Sequence, residues 1–259
     1  MLDRSVKNTV GSLSRLHGET ARSHTARTFS GMHSYVVRVW LPDRPGALGQ
    51  VASRIGAVGG SVVGIEILER GAGRAIDELV VELPEDGLVE LLLTEIGQVD
   101  GVDVEDIRLV ADALHDPRLD ALETAAQLVG STSAKEILVS LCEHSARTIG
   151  ASWVAVVDLV DGLVETSVGS PPEAAWLSAF VAGSRSSAKV VAMETGPDDV
   201  LWAPLPAANL ALVMGREGQA FRARERRSAA ALARIVDTRF RELTAQKSRA
   251  IHPSSSSSG

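Results

Sequence analysis

Aromatic side chains are scarce: four Trp, four Phe and one Tyr make up 3% of the 259 residues. Any core must therefore be built from Val, Leu, Ile and Ala. A single cysteine, Cys142, excludes an intrachain disulfide and fits a reducing compartment. No apolar run reaches the roughly 20 residues of a membrane span. The first thirty residues carry no apolar segment of the signal-peptide kind. The expected location is cytoplasmic, with no membrane partner. Basic excess is also missing. Lys and Arg number 26 against 33 Asp and Glu, for a net charge of -7. That speaks against a nucleic-acid binder, which needs a basic surface.

Catalytic signatures are lacking as well. There is no G-x-S-x-G, no phosphate loop and no dinucleotide fingerprint. The six histidines (His17, His24, His33, His115, His144 and His252) show no metal-ligand spacing. Asp198-Asp199 is a carboxylate pair without a convergent base. The expectation is a protein that is not an enzyme, with no catalytic residue, no metal and no cofactor. Cys142 sits among apolar helix positions and reads as a buried thiol.

What is present is dense patterning between two polar ends. Residues 1–31 hold Arg4, Lys7, Arg15, Arg22 and Arg27 among many Ser and Thr, with no sustained period. They read as a disordered arm, and Met32 is a candidate start. The serine run in 244–259 reads as a disordered tail.

Tyr35–Leu41 is apolar and strand-like, and Pro42-Asp43-Arg44-Pro45-Gly46 breaks it. Leu48, Val51, Ala52 and Ile55 then recur at helical spacing, and Gly59-Gly60 ends that helix. Val63, Ile65 and Ile67 alternate in a second strand. Arg70-Gly71-Ala72-Gly73 turns the chain. Leu79, Val81 and Leu83 alternate against Glu78, Val80 and Glu82 in a third strand. Pro84-Glu85-Asp86 opens a second helix with a Leu88, Leu91, Leu92, Ile96 stripe, and Val102–Val110 is a last strand. The order is βαββαβ. It predicts an α+β fold: an antiparallel sheet with both helices on one face. The other face is expected to be solvated or to meet a partner.

A boundary is expected over 111–117, followed by a second domain over 118–243. Leu119, Leu122, Ala126 and Val129 mark one helix. Ser133-Ala134-Lys135-Glu136 has the form of a capping box for the next. Asp161-Gly162 signals a hairpin between Trp153–Leu159 and Val164–Val168. A short helix over Pro172–Val181 follows. Strands are expected near Lys189–Met193, Val200–Pro204 and Leu210–Met214, and then a long helix, Arg222–Thr244. The sheet should be mostly antiparallel.

The segment Asp43-Arg44-Pro45-Gly46-Ala47-Leu48 resembles the D-R-P-G-x-L turn of the ACT family. Gly59-Gly60-Ser61-Val62, Asp77-Glu78 and the βαββαβ order over 35–110 agree with that resemblance. It implies a ferredoxin-like module that binds a free amino acid. The ligand would sit between two modules, with Ser61 and Val62 supplied by a partner chain in a homodimer. Ser61 stands where the family usually has Asn. The turn has its own physics. Pro45 fixes φ, Gly46 permits close backbone approach, and the first amides of the helix at Ala47 and Leu48 are free donors suited to a carboxylate. Asp43 could accept from an ammonium, or cap the helix. Leu201-Trp202-Ala203-Pro204-Leu205, Leu210–Gly215 and Phe221 before the Glu225 helix resemble a degenerate GAF-like sensor domain. The combined reading is a regulatory protein that senses a small ligand and signals to a partner. The alternatives are a regulatory subunit of an amino-acid biosynthetic enzyme, or a cryptic enzyme using the second domain.

Overall fold

The computed structural model describes residues 33–110, 117–186 and 198–251. The arm, residues 252–259 of the tail, the strand expected near Lys189–Met193 and His17, His24, His115 and His252 lie outside the described residues, whereas residues 244–251, expected in the disordered tail, continue the last helix. The chain divides into two compact units, Met1–His115 and Asp116–Gly259.

In the first unit, β1 (His33–Pro42) leads to α1 (Ala47–Ala57), then to β2 (Ser61–Gly71) and β3 (Arg74–Leu83). A 3₁₀ turn (Asp86–Leu88), α2 (Val89–Gly97) and β4 (Asp103–Val110) complete it. The strands form one antiparallel sheet in the order β2-β3-β1-β4. Alternation decides which side chains go inside. Tyr35, Val37, Val39 and Leu41 of β1 and Leu79, Val81 and Leu83 of β3 share one face. They pack in a single core with Val51 and Ile55 of α1 and Leu92 and Ile96 of α2. Burying each such aliphatic side chain is worth about 1.5–3 kcal/mol. The β2–β3 hairpin turns through Ala72 and Gly73, both at positive φ (51° and 76°), as a tight two-residue connection requires.

Three details depart from the periodicity reading. On α2 the buried residues are Val89, Leu92 and Ile96, whereas Leu91 is 46% exposed. The first turn, Asp86–Leu88, is 3₁₀ rather than α. On α1 the inner positions are Ala47, Val51 and Ile55, and Ala52 faces out. On β2 the alternating Val63, Ile65 and Ile67 stay exposed, because this strand is the edge of the sheet. The sheet face away from the helices, expected to be wet or partnered, holds Arg38 at 1% exposure, with Nε and Nη2 donating to Glu78 Oε1 at 3.1 and 2.8 Å, among partly exposed neighbours such as Val36 and Val80. Arg108 reaches the same oxygen at 3.2 Å. Trp40, half-buried on that face, donates to Glu105 at 2.8 Å and lies under the Arg74 guanidinium.

The second unit contains α3 (Pro117–Gly130), α4 (Ala134–Ile149), β5 (Trp153–Asp158), β6 (Val164–Val168), α5 (Ala174–Ser186), β7 (Val200–Leu205), β8 (Leu210–Gly215) and α6 (Ala223–Ile251). Its described sheet is antiparallel in the order β6-β5-β8-β7. All six residues of β8 are buried, because helices cover both faces. Leu210, Leu212 and Met214 join α3, α4 and α6 on one side. Ala211 and Val213 join Leu177 and Val181 of α5 on the other. Gly215 lies so close to the Trp153 ring that any β-carbon would fall 2.3 Å from it.

Here too the helix faces differ from a simple stripe count. Leu119, Leu122 and Val129 of α3 are 53%, 69% and 54% exposed, while Thr124 and Leu128 are buried. Ser133 caps α4 by accepting from the Glu136 amide at 3.2 Å. The Glu136 carboxylate closes the box one residue early, on the Thr132 amide and hydroxyl, both at 2.7 Å. That holds its acidity on the ionised side of normal. Cys142 is fully buried, as expected, and burial first, with the Glu143 charge second, pushes its thiol up to about 12.

The start of α6 is pinned by a buried ion pair. Arg216 donates to both carboxylate oxygens of Glu225, at 2.7 and 2.8 Å. It also donates to the carbonyls of Ile149, Gln219 and Ala220, and its guanidinium sits 4.2 Å over the Phe221 ring. Glu225 in turn accepts from the Arg222 amide at 2.6 Å, a helix N-terminus closed by an acid. Of the four arginines in the first turns of this helix and just before it, Arg227 is exposed, and Arg222, Arg224 and Arg226 are half-buried.

Candidate ligand site

The Asp43–Leu48 segment leaves the end of β1 and becomes the first turn of α1. Two backbone bonds shape it: the Arg44 amide donates to the Pro42 carbonyl at 2.8 Å, and the Asp43 amide donates to Gly73 at 2.9 Å. The second bond ties the turn to the tip of the β2–β3 hairpin. Gly46 is the residue before the helix, at φ +86° and ψ -11°, with no side chain capping the helix. Asp43 therefore does not serve as the cap. The Ala47 amide is taken by Arg44, at 3.3 Å, and the Gln50 amide by Gly46, at 3.0 Å. Among the described residues no backbone acceptor takes the amides of Leu48 and Gly49. These are the donors that every helix leaves over at its positive end.

Asp43, Arg44, Pro45 and Gly46 are exposed, Leu48 is half-buried, and Ala47 is buried at 2%. Arg44 extends toward Gln50, with Nη2 to Oε1 at 3.4 Å. The reason for glycine at position 46 is its backbone angle. A β-carbon there would meet nothing within 4 Å, so crowding, the expected reason, is not the constraint.

Ser61 and Val62 are not beside this turn in their own chain. Ser61 pairs with Glu82, and Glu82 with Ser34. Pro42, next to the turn, pairs with Arg74. Eight strand residues, about 26 Å at 3.3 Å each, separate the two ends of the sheet. Ser61 is exposed, and Val62 is half-buried against the core of its own unit.

The sequence marked Asp77 only as half of the Asp77-Glu78 pair and not as a candidate ligand-binding residue. By register it lies between Val39 and Ile67, on the helix-covered face shared with Leu79 and Val81. It is 4% exposed, and its Oδ1 has no hydrogen-bond partner. Its carboxyl is held above the usual range, first by burial. Arg70 pulls it back down, and the Asp43 carboxylate pushes it further up. The signal was readable as an acid in the alternating series of inward positions 75, 77, 79, 81 and 83. Asp86, expected only at the helix start, accepts from the Tyr35 hydroxyl at 2.8 Å and contacts His33 Nδ1 at 2.8 Å. The Tyr35 phenol is raised by burial and by that carboxylate.

Among the described residues no three His, Cys, Asp or Glu side chains group as metal ligands would, and no helix is long and apolar enough to cross a membrane. No curated protein matches the chain. One solved structure, described as an unknown protein from Galdieria sulphuraria, is similar over 52% of this chain and 77% of its own, at 14% identity and a TM-score of 0.28. Residues 35–101 match the family model of the ACT domain, so the first unit contains a segment similar to a class of small regulatory, ligand-binding modules.

Proposed function

We propose that the first unit is an amino-acid sensor, and that the chain is a regulatory protein passing its ligand state to a partner. The observation that carries this reading is the turn. Gly46 in the left-handed region aims the chain into α1 with the Leu48 and Gly49 amides unclaimed. Such amides, at the positive end of a helix, favour a carboxylate. Asp43, Arg44, Pro45, Gly46, Ala47 and Leu48 line the seat, in a segment matched by the ACT family model.

The working form is a homodimer. β2 is an edge strand exposing Val63, Ile65 and Ile67, at 43%, 52% and 39%, and such edges are normally paired or protected. In antiparallel β2–β2 pairing across a two-fold axis, Ser61 of one chain meets the Gly71 end of its copy. That end is tied to the Asp43 turn through Gly73. Ser61 and Val62 thus enter the site from the second chain. The second unit serves as a GAF-like relay. Support comes from its antiparallel sheet between helices on both faces. The expected setting is cytoplasmic, without catalysis.

The test is thermal unfolding of the full chain against each of the twenty amino acids. A ligand that binds only the folded state raises the melting temperature, by mass action. A reproducible rise with one amino acid or a related set is expected. No response to any of the twenty at millimolar concentration would overturn the reading.

A further inference from the structure

We propose that Asp77 is the seat of the ligand's ammonium group, so that the first unit selects a free, positively charged α-amine and not merely a carboxylate. This rests on the amino-acid reading above and names the group that recognises the other half of the zwitterion. A buried carboxylate oxygen without a donor is costly, and native structures rarely leave one unexplained. Asp77 is such a group: 96% of its surface is covered and Oδ1 is unpartnered. Its position fits a cation. It lies on the helix-covered face, three residues inside the Pro42 end of β1, by way of its partner Val39. The acid of the turn, Asp43, acts on it electrostatically, so both carboxylates share one neighbourhood. Arg70 acts on it too, but no hydrogen bond joins the two. An incoming ammonium would supply the missing donor and offset two negative charges, while the free amides at the start of α1 face the opposite charge of the same molecule. Asp77 also lies one strand in from the edge of the sheet, where its cross-strand neighbour Ile67 is 39% exposed.

The experiment compares the full-length chain with Asp77→Asn and Asp77→Leu in melting temperature and in titration calorimetry. The probes are the twenty amino acids, and the N-acetylated form of each that binds the parent protein. Without ligand both variants should melt higher than the parent, because an unpaired buried charge has been removed. Asp77→Leu should lose the response. Asp77→Asn should bind about tenfold more weakly or worse, the scale of a lost charge-assisted hydrogen bond. N-acetylated forms should not bind the parent. If Asp77→Asn binds like the parent, or N-acetylated forms bind as well as free amines, Asp77 is not the seat and the amino-acid reading survives without it. If the parent binds none of the twenty, both readings fall together.

Discussion

The two units solve the same packing problem differently. Among the described residues each is built on a four-stranded antiparallel sheet, with helices on one face of the first and on both faces of the second. In the second, β8 is apolar throughout and buried throughout, so the sheet finishes its core by itself. In the first, the edge strand keeps Val63, Ile65 and Ile67 exposed, a buried acid stands unpaired, and a helix begins with unclaimed amides. The second unit pairs Arg216 with Glu225 but also buries Thr124 Oγ1, Ser145 Oγ and Arg239 Nε without a hydrogen-bond partner, so what sets the first apart is that its unpartnered atom belongs to a carboxylate.

The largest expected effect breaks the second unit alone. Glu225→Ala strands the Arg216 guanidinium, only 4% exposed, without its partner. Removing one member of a buried pair costs about 3–5 kcal/mol. In urea the second unit should then unfold earlier while the first keeps its midpoint. A common shift of both transitions would mean that the units do not melt independently.

Next comes Gly46→Val, which attacks the open unit. A β-branched residue at φ +86° should cost about 1–3 kcal/mol through backbone strain. The second unit should be untouched, and any amino-acid response should be lost. A normal response would move the site away from the turn.

The third effect is smaller and depends on pH. His144 is 7% exposed, with its Nδ1 2.7 Å from Arg147. Burial first, then the Arg147 charge, lowers its affinity for a proton, against smaller opposing pulls from Glu143 and Asp120. The unfolded chain therefore binds the proton more readily than the folded one. Stability of the second unit should fall as pH drops below the ordinary histidine value of about 6.5, and should level off below the depressed folded value. His144→Gln should flatten that slope. Equal slopes in both proteins would assign the acid sensitivity elsewhere.

Much of this architecture was legible in the residues. An apolar run located β1, alternation located β3 and its inward Leu79, Val81 and Leu83, and Pro45-Gly46 located the turn, because proline and glycine act through local backbone geometry. What periodicity could not supply was which face of a helix docks. Leu91 and the Leu119, Leu122, Val129 stripe look like core positions, but packing turns them outward and buries Val89, Thr124 and Leu128. The capping box was recognisable at Ser133, yet Glu136 reaches back to Thr132, a choice made by side-chain reach. Asp77 was noted only as half of the Asp77-Glu78 pair, and its burial went unread because a count of apolar residues passes over the acid among them. Its burial depends on cross-strand neighbours, Val39 and Ile67, that are distant along the chain.

The central claim is that the amides opening α1 are a carboxylate seat. Amide hydrogen exchange at Leu48 and Gly49, resolved by NMR on the full chain, measures those donors directly. Without ligand both should exchange fast, being free of backbone acceptors. With an amino acid that raises the melting temperature, both should slow markedly while exposed amides elsewhere stay unchanged. Protection that is already strong without ligand, or exchange that an amino acid binding the folded chain leaves unaltered, would contradict the account.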